Sequence, residues 1–169
     1  KLTAAAREMC EYRFDKGDVE DFLTELRTVS AAPKGGSLLF NSLFAEFAGA
    51  ADTQTVYAPD AGHKELISKC LEALEQAAAL RPNATGVRNA ANRIGRTLKQ
   101  FHDMNDHYLC YLDCDREGNS AFVVVPKTIR TQLRTLLWAN KDAGVVLTSG
   151  TLAINNGFRF VKRQLGLNH

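Results

Sequence analysis

Apolar side chains recur along this chain at two successive periods. From the start to about residue 105 they return every third or fourth position, the spacing of helices that bury one face. Beyond that they gather in short runs, the mark of strands. Leu2 to Tyr12 is Ala-rich, with Leu2, Ala5, Met9 and Cys10 on one side of a helix. Phe14-Asp15-Lys16-Gly17 predicts a turn, and Asp18 a cap for the next helix, whose stripe is Val19, Phe22, Leu23, Leu26 and Val29. Pro33 and Gly35-Gly36 make Ser30 to Gly36 a loop. Ser37 then caps a short helix carrying Leu38, Leu39, Phe40, Leu43, Phe44 and Phe47. So many large apolar groups cannot face water, so this helix is expected deep in a core or an interface.

Gly49 to Gly62 is polar and broken by Pro59. Lys64 to Leu80 returns to a helical stripe of Leu66, Ile67, Cys70, Leu71, Leu74 and Ala78, closed by Arg81-Pro82-Asn83. Thr85 to Met104 carries Val87, Ala90, Ala91, Ile94, Leu98, Phe101 and Met104 on one face. His107 to Cys114 and Ala121 to Val125, joined by Asp115-Arg116-Glu117-Gly118-Asn119, predict a β-hairpin ended by Pro126. Ile129, Leu133, Leu136 and Leu137 mark a helix to about Asn140. Val145-Val146-Leu147-Thr148 reads as a short buried strand, Ser149 to Leu152 as the turn after it, and Gly157 to Leu165 as a last helix capped by Gly166. The expected fold class is α+β: a predominantly helical module over 1–105, then a small hairpin-and-strand portion over 106–169, with the boundary near Asp106.

At 169 residues and 45% hydrophobic, the chain can bury a core without disulfides or metals. A net charge of +2 permits nucleic-acid contact without arguing for it, so the electrostatic case rests on where the positive groups sit. Cys10, Cys70, Cys110 and Cys114 form no C-x-x-C pair and fall largely in patterns that bury them, which predicts free thiols in a reducing, cytoplasmic setting. No apolar run is long enough to span a membrane, and no signal peptide is recognisable. Lys1 enters a helical pattern with no cap, which predicts a chain cut from a longer protein.

Candidate chemistry is sparse. There is no G-x-x-x-x-G-K-[ST] phosphate loop, no G-x-S-x-G elbow and no H-E-x-x-H pair, so the chain alone is not expected to hydrolyse ATP. His102 and His107, with Asp103 and Asp106 between them, straddle the predicted helix-to-strand break, and no metal site is expected there. Arg88, Asn92, Arg96 and Lys99 recur at steps of three and four, a stripe able to hold phosphates of single-stranded DNA or simply to be solvated. Lys127, Arg130 and Arg134 form a similar set, and Arg159, Lys162 and Arg163 cluster near the C-terminus.

Val145-Val146-Leu147-Thr148-Ser149-Gly150-Thr151-Leu152, followed by Phe158, Phe160 and Leu165-Gly166-Leu167, resembles the V-L-T-S-A/G-T-L…F…L-G-L segment of the DinG/XPD family of superfamily 2 helicases. The strand ending at Pro126 and the helix after it also occur in the family's order. The opening Lys1-Leu2 and Ala-rich helix look like the segment just past the family's D-E-A-H box. The resemblance implies that residues 1–105 are an arch-like insertion and 106–169 part of a RecA-like first motor domain. It implies a parent ATP-dependent DNA helicase, 5′ to 3′ and related to repair, with ATP and Mg²⁺ bound mainly outside this chain. Thr148, Ser149, Gly150 and Thr151 would couple hydrolysis to strand movement, with Arg159, Lys162, Arg163, Arg88, Arg96 and Lys99 touching single-stranded DNA. Other parts of the parent helicase would be partners. The family's iron–sulfur cysteines would precede Lys1, so these four are not assigned to a cluster. Two other readings stay open: a helical adaptor that binds a protein through the Leu38–Phe47 helix, and an inactive or exonuclease-linked member of the same family.

Overall fold

The structure is a computed structural model, and it describes residues 10–29, 36–48, 60–80, 83–114, 119–139, 144, 146 and 157–167. Its elements in chain order are β1 (Tyr12–Asp15), α1 (Lys16–Val29), α2 (Gly36–Ala48), α3 (Ala61–Leu80), α4 (Thr85–Asp103), β2 (Tyr108–Cys114), β3 (Ser120–Pro126), α5 (Arg130–Leu133, continued by a π-helical turn, Arg134–Trp138) and α6 (Arg159–Leu165). The fold is α+β, mostly helical with one small three-stranded sheet. Two compact units divide it: Tyr12–Val125, and Lys1–Glu11 together with Pro126–His169. The composition change near Asp106 therefore marks the start of the hairpin and not the edge of a unit, because the helical unit continues to Val125.

Within Tyr12–Val125 the strand order is β1-β3-β2, and β1 pairs antiparallel with β3 from Tyr12↔Val124 to Asp15↔Ala121. The sequence pattern predicts the end of a helix and the start of a turn over Tyr12 to Asp15. The segment is a strand instead, because β3 supplies a ladder that no local pattern reveals. The helix after it is capped at Asp15, three residues before the expected Asp18. Asp15 Oδ1 accepts from the Asp18 N–H at 3.0 Å while Asp18 Oδ2 accepts from the Asp15 N–H at 3.1 Å, a reciprocal arrangement that satisfies two amide donors at the helix start.

The helical faces pack where the periodicity placed them. Val19, Phe22, Leu23 and Leu26 of α1 are buried, as are Ile67, Cys70, Leu74 and Ala77 of α3 and Val87, Ala91, Ile94, Leu98 and Phe101 of α4. Phe40, Leu43, Phe44 and Phe47 of α2 join the same core, whereas Leu38 is 72% exposed and departs from the expected all-buried set. Leu38 lies just inside the helix start, on the side away from those four, and a single exposed leucine carries little cost.

Phe122 of β3 is the centre of this core. Its ring stacks on Phe14 of β1 at 4.9 Å with 5° between planes. It also meets Phe44 at 5.6 Å, Phe47 at 5.0 Å and Phe101 at 5.1 Å, the first and last edge-to-face. One ring thus touches rings from β1, α2 and α4 in the offset and edge-on geometries that aromatic quadrupoles favour. On the opposite face of β3, Val123 is also fully buried. Arg13, its partner on β1, reaches Asp113 of β2 at 2.7 Å, so this ion pair passes over the central strand.

The described part of the other unit is smaller. Ile129, at the N-cap of α5, and Leu133 within it pack with Leu165 of α6, flanked by Leu137, Trp138, Val161 and Leu167. Trp138 Nε1 donates to the Leu165 carbonyl at 2.6 Å and ties the π turn to the end of α6. Gly166 closes α6 at φ 73°, as its position predicts, and the Leu167 N–H reaches back to the Lys162 carbonyl at 2.8 Å. A side chain at Gly166 would also sit 2.6 Å from the Arg130 carbonyl oxygen, so both the conformation and the close approach demand glycine.

Phe122→Ala is expected to lower the unfolding free energy by about 3–5 kcal/mol, the usual range for emptying a buried aromatic site. Asp15→Ala should cost about 1 kcal/mol through removal of the cap. Urea unfolding followed by circular dichroism reads both, and a Phe122→Ala midpoint equal to wild type would contradict the hub role.

Candidate nucleic-acid interface

Helix α4 carries its buried stripe on one side and its basic groups on the other. Arg88, Asn92, Arg96 and Lys99 are all exposed. Asn92, Arg96 and Lys99 line a groove of about 210 Å³ between α3 and α4, with Leu71, Leu74 and Gly95 beneath them. Glu75 of α3 also lines it, so the groove is not uniformly positive. Arg96 and Lys99 have no ion-pair partner among the described residues. Arg88, about two turns before Arg96, is engaged in a contact of its own and does not line the groove. Arg93, on a different side, is bound to Asp18 at 2.6 Å and fastens α4 to α1.

Helix α6 presents Arg159, Lys162 and Arg163 to solvent, with no carboxylate partner among the described residues. Phe158 and Phe160 are 55% and 54% exposed beside them. Of the third basic set, Lys127 and Arg134 are exposed, whereas Arg130 is half-buried with its Nε enclosed and unbonded. Both sets that the sequence assigned to single-stranded DNA therefore reach solvent, on two different units.

Thr148, Ser149, Gly150 and Thr151, the residues expected to couple ATP to DNA, lie outside the described residues. Of the predicted buried strand at 145–148, Val146 alone is described. It is 86% exposed and in no regular element, contrary to that expectation. A buried strand needs covering layers and a hydrogen-bonded neighbour, and the described sheet consists of β1, β3 and β2.

His102 Nδ1 lies 2.8 Å from Asp103 Oδ1, while the His107 amide is bound by Asn105 Oδ1. Among the described residues no three His, Cys, Asp or Glu side chains gather in a way that could hold a metal. No described helix is long and apolar enough to cross a membrane. Cys70 and Cys110 are buried and Cys10 is half-buried, and none of the three is in a disulfide. Burial pushes the Cys70 thiol up to about 12, since the charged thiolate is disfavoured away from water.

Comparison with protein-family models and with curated proteins returns no match to this chain. One functional signal is hidden in the linear sequence: the distribution of charge between the units. Tyr12–Val125 holds twelve Lys and Arg against sixteen Asp and Glu, whereas the other unit holds nine against three. The small overall charge of +2 conceals that division.

Because the thiolate is the reacting species, Cys70 should resist iodoacetamide in the folded protein at pH 8 and react fully in urea. The sign of the pH effect comes from the same shift. The thiol's contribution to stability is complete below its ordinary value of 9.0 and declines as pH rises towards about 12, because the unfolded chain loses the proton first. Peptide mapping after labelling checks the first statement, and Cys70→Ala should flatten the alkaline loss of stability.

Proposed function

We propose that this chain is part of an ATP-driven DNA helicase of the DinG/XPD type, with Tyr12–Val125 an arch-like insertion and the flanking segments part of a RecA-like first motor domain. One observation carries the reading: the helical unit interrupts the other unit in the chain. Residues 1–11 and 126–169 belong together, and the intervening module begins and ends on adjacent antiparallel strands, with Tyr12 opposite Val124. That is the topology of an inserted domain. The S-G-T-L segment, which follows the insertion in the order the resemblance implies, supports the motor reading of the other unit.

In this reading the parent moves 5′ to 3′ on single-stranded DNA in repair. ATP and Mg²⁺ are held mainly by other parts of the parent, and Thr148, Ser149, Gly150 and Thr151 transmit the nucleotide state to the strand. Arg96 and Lys99 at the α3–α4 groove, with Arg88 nearby, hold backbone phosphates by charge, which needs no base sequence. The adaptor alternative loses its surface, because Phe40, Leu43, Phe44 and Phe47 fill the core of their own unit.

The test is binding of a fluorescein-labelled single strand across a salt series. Affinity should fall with salt, and Arg96→Glu with Lys99→Glu should weaken it and reduce the slope of log K against log salt by roughly 0.7 for each phosphate that is no longer neutralised. Wild-type binding that is absent, or indifferent to salt, would end the DNA proposal. Normal salt-dependent binding in the double variant would remove α4 from the interface.

A further inference from the structure

We infer that Phe158 and Phe160 are base-stacking groups, so that α6 grips the bases of a single strand as well as its phosphates. The inference rests on the single-stranded DNA reading above and goes beyond it by naming the chemistry that distinguishes a single strand from any other polyanion.

Three observations meet at this helix. Its packing onto α5 is carried by Val161 and Leu165, and neither Phe158 nor Phe160 belongs to that cluster. Both rings stand more than half exposed. At about 100° per residue around a helix, Lys162, Arg159 and Arg163 fall between the two phenylalanine positions, on the side away from Val161 and Leu165. The surface is thus a strip of three cations bordered by two aromatic rings.

Charge complementarity selects the occupant. From Gly118 to His169 the sequence holds a single carboxylate side chain, Asp142, and Arg159, Lys162 and Arg163 have no described acidic partner. An acidic peptide would answer the charge but leave two phenyl faces wet. A duplex would answer the charge but keep its bases stacked on one another. An unpaired strand satisfies both, with phosphates on the basic strip and unstacked bases on the rings.

The experiment compares the wild-type chain and its variants on two probes, a labelled oligothymidylate and an abasic deoxyribose-phosphate strand of equal length. Wild type should prefer oligothymidylate. Phe158→Ala with Phe160→Ala should cost about tenfold on oligothymidylate while leaving abasic binding and the salt slope unchanged. Arg159→Gln, Lys162→Gln and Arg163→Gln together should weaken both probes. Phe160→Trp, which keeps the ring, should retain affinity, and its emission should be quenched by oligothymidylate and not by the abasic strand, a readout that stands even if the alanine pair unfolds. Equal wild-type affinity for the two probes, or an intact alanine pair that still prefers oligothymidylate, would overturn stacking while the DNA reading survives. Wild type that binds neither probe would remove both.

Discussion

The burial of one phenyl ring at Phe122 sets what the rest of the larger unit can do. A three-stranded sheet with short strands has too little apolar surface to stand alone, and four amphipathic helices have no fixed arrangement until something occupies the space between them. Phe122 occupies it. Its ring contacts Phe14 on the neighbouring strand, two rings of α2 and one of α4. The faces of α1 and α3 then close over the same core. Polar ties at the margins add register more than energy: Arg93 to Asp18 joins α4 to α1, and Arg13 to Asp113 crosses the sheet. Exposed pairs of this kind contribute about 0–1 kcal/mol each, far less than the buried rings.

That internally satisfied core changes what the apolar α2 helix means. A run such as Leu38 to Phe47 in isolation is equally good evidence for an interface or a core, because periodicity reports burial and not the identity of the covering surface. The rings from β1 and β3 that cover it lie about 25 residues before and 80 after it in the chain. Among the described residues the exposed aromatic rings are on the other unit, Phe158 and Phe160, along with its excess of positive charge, while the larger unit exposes Leu38 and Leu80. The two units thus differ in composition, one packing its phenylalanines internally and the other leaving two of them beside cations.

The helices were readable because each carries a stripe at its own period: Val19 to Leu26, Ile67 to Ala78 and Val87 to Phe101 fall on buried faces. The hairpin was readable from two β-prone runs and a turn. β1 was not, since four residues, Tyr-Arg-Phe-Asp, alternate no more clearly than many loops, and their ladder partner lies over a hundred positions away. The cap at Asp15 is hidden for the same reason, as locating a cap requires knowing where the preceding element ends. Of the candidate site, the basic steps on α4 and α6 come from helical spacing alone. The groove at Gly95 and the exposure of Phe158 and Phe160 depend on which neighbours pack against those helices, and no pattern within one helix carries that information.

The pairing of β1 with β3 has a further physical consequence for the chain on either side of that unit. Residues paired across an antiparallel ladder have Cα atoms about 4.5–5.5 Å apart, so the host chain departs at Tyr12 and returns at Val124 across a gap that a tight turn would span. Closing a flexible loop of such length would cost more entropy than closing a short one, although the cost grows only logarithmically. A module that folds on its own core removes even that cost, because its ends are already side by side. The same geometry makes β1 and β3 the covalent root of the module, and the stacked pair Phe14 and Phe122 lies within that root.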